Sequence, residues 1–296
     1  MINKNLKIDE NKCIHCGLCI NDCIANSLEF DENKIPRFAQ GGENRCIKCQ
    51  HCLAICPVGA LSILDKNPDD SNLVLKEYNS DELLNLIQSR RSVRKFKSEN
   101  VESDKLDKIK NMINWVPTGC NFHKLYFSFI DDIDTMNEFR DYVNAKIINI
   151  ITKTPVKGLM NKFSSYKKAF LNGEDVIFRK APHMVVVSVP VNAPCANIDP
   201  VIALSYFELY ADSLGLGTLW CGFGQICLQA FPELCEYLEI PEGYKPGYVM
   251  LFGNPDVHYT RTTQPEPYDC VSVKKKSFKK LSLGRKIKRY MWNFTR

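Results

Sequence analysis

The hydrophobic pattern changes character along the chain. From residue 81 onward it alternates between helical spacing and short unbroken apolar runs. "SDELLNLIQSRRS" carries apolar residues three and four apart behind a polar start, which predicts a helix capped by Ser80. "LYFSFI", "HMVVVSVP" and "GYVMLFG" are short apolar runs and predict strands. "DPVIALSYFELYADSLGLG" predicts a long helix with Asp199 at the N-cap, Pro200 at the first helical position and Gly215 just past the end. Residues 134–180 read as mainly helical with an apolar, aromatic face, followed by a loop. Before residue 65 the apolar pieces are much shorter and punctuated by cysteine. There "LEFDENKIPRF" predicts a hairpin around a polar turn.

That leading segment is internally duplicated. "ENKC" (10–13) returns as "ENRC" (43–46), and "SLEF" (27–30) returns as "ALSI" (60–63), so each half reads as a cysteine loop, a helical turn and a strand. "DKNPDDSN" (65–72) is polar, with a proline and three Asp, and reads as a linker. The expected organisation is a cysteine domain over 1–65, a linker over 66–80, a larger mixed domain over 81–270 and a basic tail over 271–296. At 296 residues, one small module plus one ordinary domain is the natural division.

Composition changes this picture in three places. The apolar fraction of 45% is that of a globular chain with a sizeable core. No eighteen apolar residues occur in a row, and "MINKNLKIDENK" lacks a leader's apolar centre. A cytoplasmic chain without signal peptide or membrane span is therefore expected. The net charge of +5 hides an asymmetry: ten of the 39 basic residues and none of the 34 acidic ones lie in 271–296, leaving the first 270 residues at −5.

Fourteen cysteines in such a chain point to metal ligands and free thiols rather than disulfides. "CIHCGLCINDC" (13–23) and "CIKCQHCLAIC" (46–56) both follow C-x2-C-x2-C-x3-C, and Pro57 follows the second. Such a loop wraps three thiolates around one cubane while the fourth comes from elsewhere. Structural zinc would instead favour paired C-x2-C knuckles across a long spacer. Residues 1–65 resemble the bacterial-type two-[4Fe-4S] ferredoxins. That resemblance implies one cluster on Cys13, Cys16, Cys19 and Cys56, and a second on Cys46, Cys49, Cys52 and Cys23. Ile24 stands where the first run would carry its proline.

Three stretches of the larger domain carry candidate chemistry. "SRRSVRKF" (89–96) places three Arg and a hydroxyl where a phosphate monoester could take charge-assisted bonds; a basic helix end complementing its own dipole is the plain alternative. "PTGCNFH" (117–123) has a glycine that lets backbone approach a flat ligand and an Asn that can donate and accept at a heterocycle edge. "GLGTLWCGFG" (215–224) follows a helix and has Trp220 where a dinucleotide fingerprint needs its third glycine, which argues against that fingerprint.

In this order, over about residues 81–265, the set resembles the FMN-dependent nitroreductase family, with "GNPDVHYTR" (253–261) similar to its C-terminal return. The resemblance implies an α+β sandwich, a mostly antiparallel sheet flanked by helices, in a homodimer with FMN at the interface. Carried over by position, Arg90, Ser92 and Arg94 would hold phosphate, ribityl and pyrimidine edge, Arg91 would add backbone contacts, and Arg261 would reach the phosphate. Pro117, Thr118, Gly119 and Asn121 would line the ring from the partner subunit, and Cys221 and Gly222 would present backbone near the flavin N5. His123 replaces the family's usual Gln.

The expected activity is that of an FMN- and iron–sulfur-dependent oxidoreductase. Electrons would pass between the clusters and FMN to reduce a flat, electron-poor acceptor: a nitroaromatic, quinone or activated alkene. An external ferredoxin or flavodoxin is a possible donor. Residues 155–175 are a candidate lid, with Met160, Phe163, Tyr166 and Phe170 either lining a pocket or forming helix core. Cys120, Cys195, Cys221, Cys227, Cys235 and Cys270 have no ligand spacing for a third cluster and read mostly as small buried hydrophobes. The alternative is a redox sensor or electron-transfer scaffold docking a partner through the tail. There Ile287, Met291 and Phe294 share a helical face that would suit an anionic membrane, an acidic redox protein or nucleic acid. A specialised branch, such as reductive deiodination or flavin fragmentation, would need substrate-binding residues that this pattern does not single out.

Overall fold

The internal duplication folds as two interleaved halves. In the computed structural model, which describes residues 5–74, 77–153, 166–275, 277 and 280–292, the first half runs β1 (Lys7–Ile8), α1 (Leu18–Asn21), β2 (Leu28–Phe30). The second runs β3 (Pro36–Phe38), α2 (Gly42–Arg45), α3 (His51–Ala54), β4 (Leu61–Ser62). β1 pairs antiparallel with β4, Ile8 opposite Leu61, and β2 with β3, Leu28 opposite Phe38. The hairpin read from the sequence is therefore present. Its turn is closed by Asp31 Oδ1, which accepts from the N–H groups of Asn33 (2.9 Å) and Ile35 (2.8 Å). The core here is thin: Leu28, Leu53, Leu61 and Ile63 pack with Cys19, Cys46, Cys52 and Cys56. A segment this small buries too little apolar surface to be well stabilised by it alone, so ligation through the same cysteines becomes part of its folding free energy.

The larger part begins with α4 (Ser80–Ser89). Its cap is Asn79 rather than the expected Ser80: Asn79 Oδ1 accepts from the N–H of Asp81 (3.0 Å) and Glu82 (3.2 Å), which a residue already inside the first turn cannot do. Then follow α5 (Ser103–Met112), β5 (Tyr126–Ile130), α6 (Ile133–Lys153), α7 (Lys167–Leu171), β6 (His183–Pro190) and α8 (Asp199–Ser213). β7 (Gly217–Trp220), α9 (Gly222–Ala230), α10 (Glu233–Tyr237) and β8 (Tyr244–Gly253) complete it. Among the described residues the strands form one sheet in the order β5-β6-β8-β7, every neighbour antiparallel.

The unbroken apolar runs of β6 and β8 have a direct cause. Successive side chains point to opposite faces, and both faces are covered. Met184, Val186, Val249 and Leu251 join one core, with Met136, Phe139, Val143, Ile147 and Ile151 of α6 recurring at three- and four-residue intervals. Val185, Val187, Met250 and Phe252 join the other, with Ala203, Leu204, Phe207 and Ala211 of α8. The sheet is thus sandwiched between two helical layers. The chain forms two compact units, residues 1–261 and 262–296; the second contains α11 (Leu283–Trp292). Among the described residues no helix is long and apolar enough to cross a membrane.

Among the polar residues sealed into this sandwich, one is ionisable near neutral pH. His183, at the start of β6, is fully buried, and its Nε2 accepts from the Val101 N–H at 2.9 Å. Burial lowers its pKa to about 4, against the weaker pull of Asp131 and Asp132. Protonation would also turn that acceptor into a donor facing another donor. Because the folded pKa is depressed, the unfolded chain takes the proton first. The stabilisation is therefore complete above about pH 6.5 and is lost as pH falls toward 4. Urea unfolding at neutral and acid pH should show the wild type losing about 3 kcal/mol more over that interval than His183→Gln, which cannot ionise; equal losses would refute the assignment.

Candidate functional site

The eight clustered cysteines surround two separate cavities. Cys13, Cys16, Cys19 and Cys56 line one, together with Ile8, Leu18 and Val58. Cys23, Cys46, Cys49 and Cys52 line the other, together with Ile24, Ile47 and Phe38. Each loop thus contributes three thiols to its own cavity and its last thiol to the other. Among the described residues no three His, Cys, Asp or Glu close on a point as a single ion requires; the thiols ring voids instead.

Local backbone explains the cage shape. His15 and Gly17 in the first loop, and Lys48 and Gln50 at the equivalent places in the second, have φ between 55° and 72°. Interspersing left-handed residues turns successive N–H groups toward one side, the concavity that anionic sulfur favours. The two crossing thiols are treated alike: Ser27 N–H points at Cys23 Sγ (3.3 Å) and Ala60 N–H at Cys56 Sγ (3.2 Å). Without metal, burial raises the Cys19 thiol and pushes Cys52 up to about 12, with neighbouring thiolates adding to both. Loading these cages must therefore expel protons.

The arginine stretch lies against β7. Val93 N–H donates to Thr218 O (2.8 Å) and Ser92 bridges Thr218, while Asn254–Asp256 return alongside it through Lys97 N–H to Asn254 O and Asp256 N–H to Lys95 O (both 2.9 Å). Arg90 already has a partner: its Nη1 donates to Glu208 Oε1 on α8 at 3.1 Å, and Thr218 Oγ1 donates to the same oxygen at 3.4 Å. Arg91 Nη1 donates to Arg90 O (2.6 Å), but Arg91 Nη2 is buried without a partner among the described residues. A desolvated guanidinium nitrogen without an acceptor is costly, and an anionic oxygen would satisfy it. Arg94 is exposed with Nη1 on Ser92 O (3.1 Å), and Arg261 is exposed.

The 117–123 loop is held at several points. Asp199 does not cap its own helix, as the sequence suggested; Ile198 occupies that position. The Asp199 carboxylate is buried and accepts from Gly119 N–H at 2.9 Å. Gly119 meets the Cys195 side chain, whose Sγ would lie 2.3 Å from an added Cβ, so close packing rather than ligand approach accounts for glycine here. Thr118 Oγ1 accepts from His123 N–H (2.9 Å), and Cys120, Asn121 and His123 take φ of 55°, 52° and 43°. Asn121 Nδ2 donates to Ile47 O, in the second cysteine loop, at 3.0 Å. Pro117 is exposed and Thr118 half-buried. Asp199 and Glu208 are nine residues apart on α8, so the two anchored segments sit about 13 Å apart along its axis.

Cys221 caps α9: its Sγ accepts from Gly224 N–H (3.3 Å) and donates to Ile177 O (3.4 Å). Burial pushes this thiol up to about 12, leaving it neutral and unreactive. Its N–H is used by Val249 O (3.0 Å), so of the expected backbone pair Gly222 carries the accessible N–H, with open space limited only by Tyr248 Oη at 3.5 Å from an added Cβ. Tyr166 meets Phe223 edge-on at 5.3 Å beside Gly222, whereas Phe170 is buried in the core. Met160 and Phe163 lie outside the described residues. The sequence reading missed Glu208 and Asp199 as anchors. Their only signal was a charged residue within an otherwise apolar helix pattern.

Comparison with known proteins follows the same division. Residues 87–254 match the Nitroreductase family and residues 12–69 match the 4Fe-4S dicluster domain. Similar solved structures include a nitroreductase with bound FMN from Desulfitobacterium hafniense DCB-2 (23% identity, 67% of this chain and 100% of that one, TM-score 0.53). Others are a nitroreductase with bound FMN from Bacteroides fragilis NCTC 9343 (21%, 66% and 99%, 0.53) and an FMN-dependent nitroreductase from Clostridium difficile R20291 (21%, 66% and 100%, 0.50). A search of curated proteins finds no match. At these identities the structural likeness establishes the fold, and the family match covers more than half of the chain. The chain belongs to the nitroreductase family and carries a 4Fe-4S dicluster domain ahead of its nitroreductase domain.

Proposed function

We propose that the protein is a ferredoxin-fused FMN oxidoreductase that draws single electrons through its two cysteine cages and reduces a flat, electron-poor acceptor such as a nitroaromatic, quinone or activated alkene. The observation that carries this reading is the division of eight thiols into two cages with exchanged fourth members. When bound, the clusters relay electrons one at a time and the flavin releases them in pairs as hydride. The cysteines hold the clusters, and the Ser27 and Ala60 N–H groups offset negative charge on the crossing sulfurs. Arg91 Nη2 supplies the buried donor for the flavin phosphate, joined by Ser92 and the exposed Arg261. Arg94 places a cation near the pyrimidine edge. Arg90 acts first as a strut, tying the segment to Glu208. The Tyr248 hydroxyl beside Gly222, raised by burial and by the nearby Cys221 sulfur, keeps its proton and can donate it to a reduced substrate.

A second copy of the chain completes the site. No residue of α4 is fully buried, and its Leu83, Leu84 and Ile87 are exposed, as are Ile198, Val201 and Tyr206 at α8, with which α4 packs. An apolar face of this kind suits a twofold interface. The domain limits that fit this reading are 1–65, 81–270 and a tail from 271, with 66–80 as linker.

The alternative, a redox sensor or scaffold, has one observation in its favour. In α11, Leu283, Ile287, Tyr290 and Met291 share one exposed face, with Arg285, Lys286, Lys288 and Arg289 on the other. Reduction of a model nitro compound over many turnovers decides for the enzyme; a single stoichiometric reduction decides for the sensor.

Two outcomes test the main reading. Anaerobically reconstituted protein should hold about eight iron, about eight sulfide and one FMN per chain, and turn over faster with dithionite or reduced ferredoxin than with NADH. A colourless preparation sinks the proposal, and equal rates with NADH remove the donor preference. Arg91→Ala should weaken FMN binding about tenfold to a hundredfold by fluorescence titration, the range for a charged hydrogen bond; unchanged affinity would take Arg91 out of the phosphate site.

A further inference from the structure

We infer that the second cysteine cage, ringed by Cys23, Cys46, Cys49 and Cys52, is the outlet toward the nitroreductase domain, and that Asn121 is the positioning residue that holds it there. The inference rests on the cofactor reading given above and adds an order to it.

The contact is specific. Asn121 Nδ2 donates at 3.0 Å to the carbonyl of Ile47, which follows Cys46 inside the second C-x2-C-x2-C loop and itself lines the second cage. The donor comes from the loop that also carries Thr118 and Gly119. That loop is held from behind by Asp199 on Gly119 N–H (2.9 Å) and from within by Thr118 Oγ1 on His123 N–H (2.9 Å). Cys120, Asn121 and His123 are all left-handed, a conformation that costs a non-glycine residue energy and persists only where its surroundings impose it. A plain connection from α5 to β5 has no need of three such residues. Here they turn the Asn121 amide onto the cysteine loop.

The first cage presents a different rim. Cys16 is exposed, and Ile14, Leu18 and Val58 around it are 58%, 40% and 38% exposed. That small apolar rim suits a transient one-electron carrier. The second cage has exposed apolar neighbours too, Ile24 (83%) and Ile47 (37%), but the Ile47 backbone is bonded to the larger domain through Asn121, whereas Cys16 of the first cage is exposed. The order is therefore donor, first cage, second cage, large domain. Each electron leaves a reduced one-electron carrier, which is oxidised by one. Two such arrivals, with two protons from water or Tyr248, reduce one acceptor by two electrons.

Two variants of the full, cofactor-loaded chain test this. Asn121→Asp keeps the size and tolerance of positive φ but sets a carboxylate against the Ile47 carbonyl; Asn121→Gly keeps the backbone and removes the side chain. Hydrogen–deuterium exchange across residues 46–50 should rise about fivefold in either, the change expected for loss of one neutral hydrogen bond. In rapid mixing with dithionite, bleaching of the clusters should keep its rate while arrival of electrons at the flavin slows by at least that factor. Exchange and arrival unchanged in both variants would overturn the inference. A chain that takes up neither iron, sulfide nor FMN would sink the functional reading instead, so the two failures are distinguishable.

Discussion

Four sulfurs have to converge on each cage, and one C-x2-C-x2-C loop can supply only three of them. The fourth must come from a residue that the loop itself cannot reach, and in a duplicated segment the nearest source is the other half. Much of the cysteine domain follows from this exchange. It goes with the pairing of β1 with β4 across the duplication, and with the N–H four residues after each crossing thiol pointing back at its sulfur. It also explains how so thin a core can suffice, since the ligands and the core residues are partly the same.

In the larger domain α8 does comparable work with two carboxylates. An apolar helix buried against a sheet would ordinarily carry no charge on its inner face, because an unpaired buried carboxylate is expensive. Asp199 and Glu208 are nonetheless buried at its two flanks, about half a turn apart around its axis, each satisfied by a segment from elsewhere: Gly119 N–H at one end, and the Arg90 guanidinium with the Thr218 hydroxyl at the other. The helix thereby fixes the separation between the arginine stretch and the 117–123 loop. With Arg90 held by Glu208, Arg91 Nη2 is a buried donor without an acceptor among the described residues.

Much was legible before any coordinates, and for local reasons. Cysteine spacing sets which thiols a loop can gather, so both runs could be assigned and the exchange of Cys23 and Cys56 inferred from resemblance. Unbroken apolar runs at β6 and β8 could be read as strands because a strand covered on both faces needs nothing else. The start of α4 and both ends of α8 were read to within a residue, missing which polar side chain reaches the first free N–H groups: Asn79 rather than Ser80, and Asp199 not at all. The helical reading of 134–180 was coarser, since α6 ends at Lys153 and α7 covers only Lys167–Leu171.

The remainder joins residues far apart in the chain. Arg90 and Glu208 are 118 positions apart, Gly119 and Asp199 80, Asn121 and Ile47 74. By itself the sequence determined the cysteine loops, three of the four strands of the large sheet, helices α4 and α8, and the families they resemble, because periodicity and spacing act over a few residues. Only the tertiary structure decided which carboxylate holds which loop, which arginine nitrogen is left without a partner among the described residues, why Gly119 must lack a side chain and which cysteine loop bonds to the larger domain. Those outcomes depend on how the layers pack, and packing brings together groups whose positions in the chain carry no record of one another.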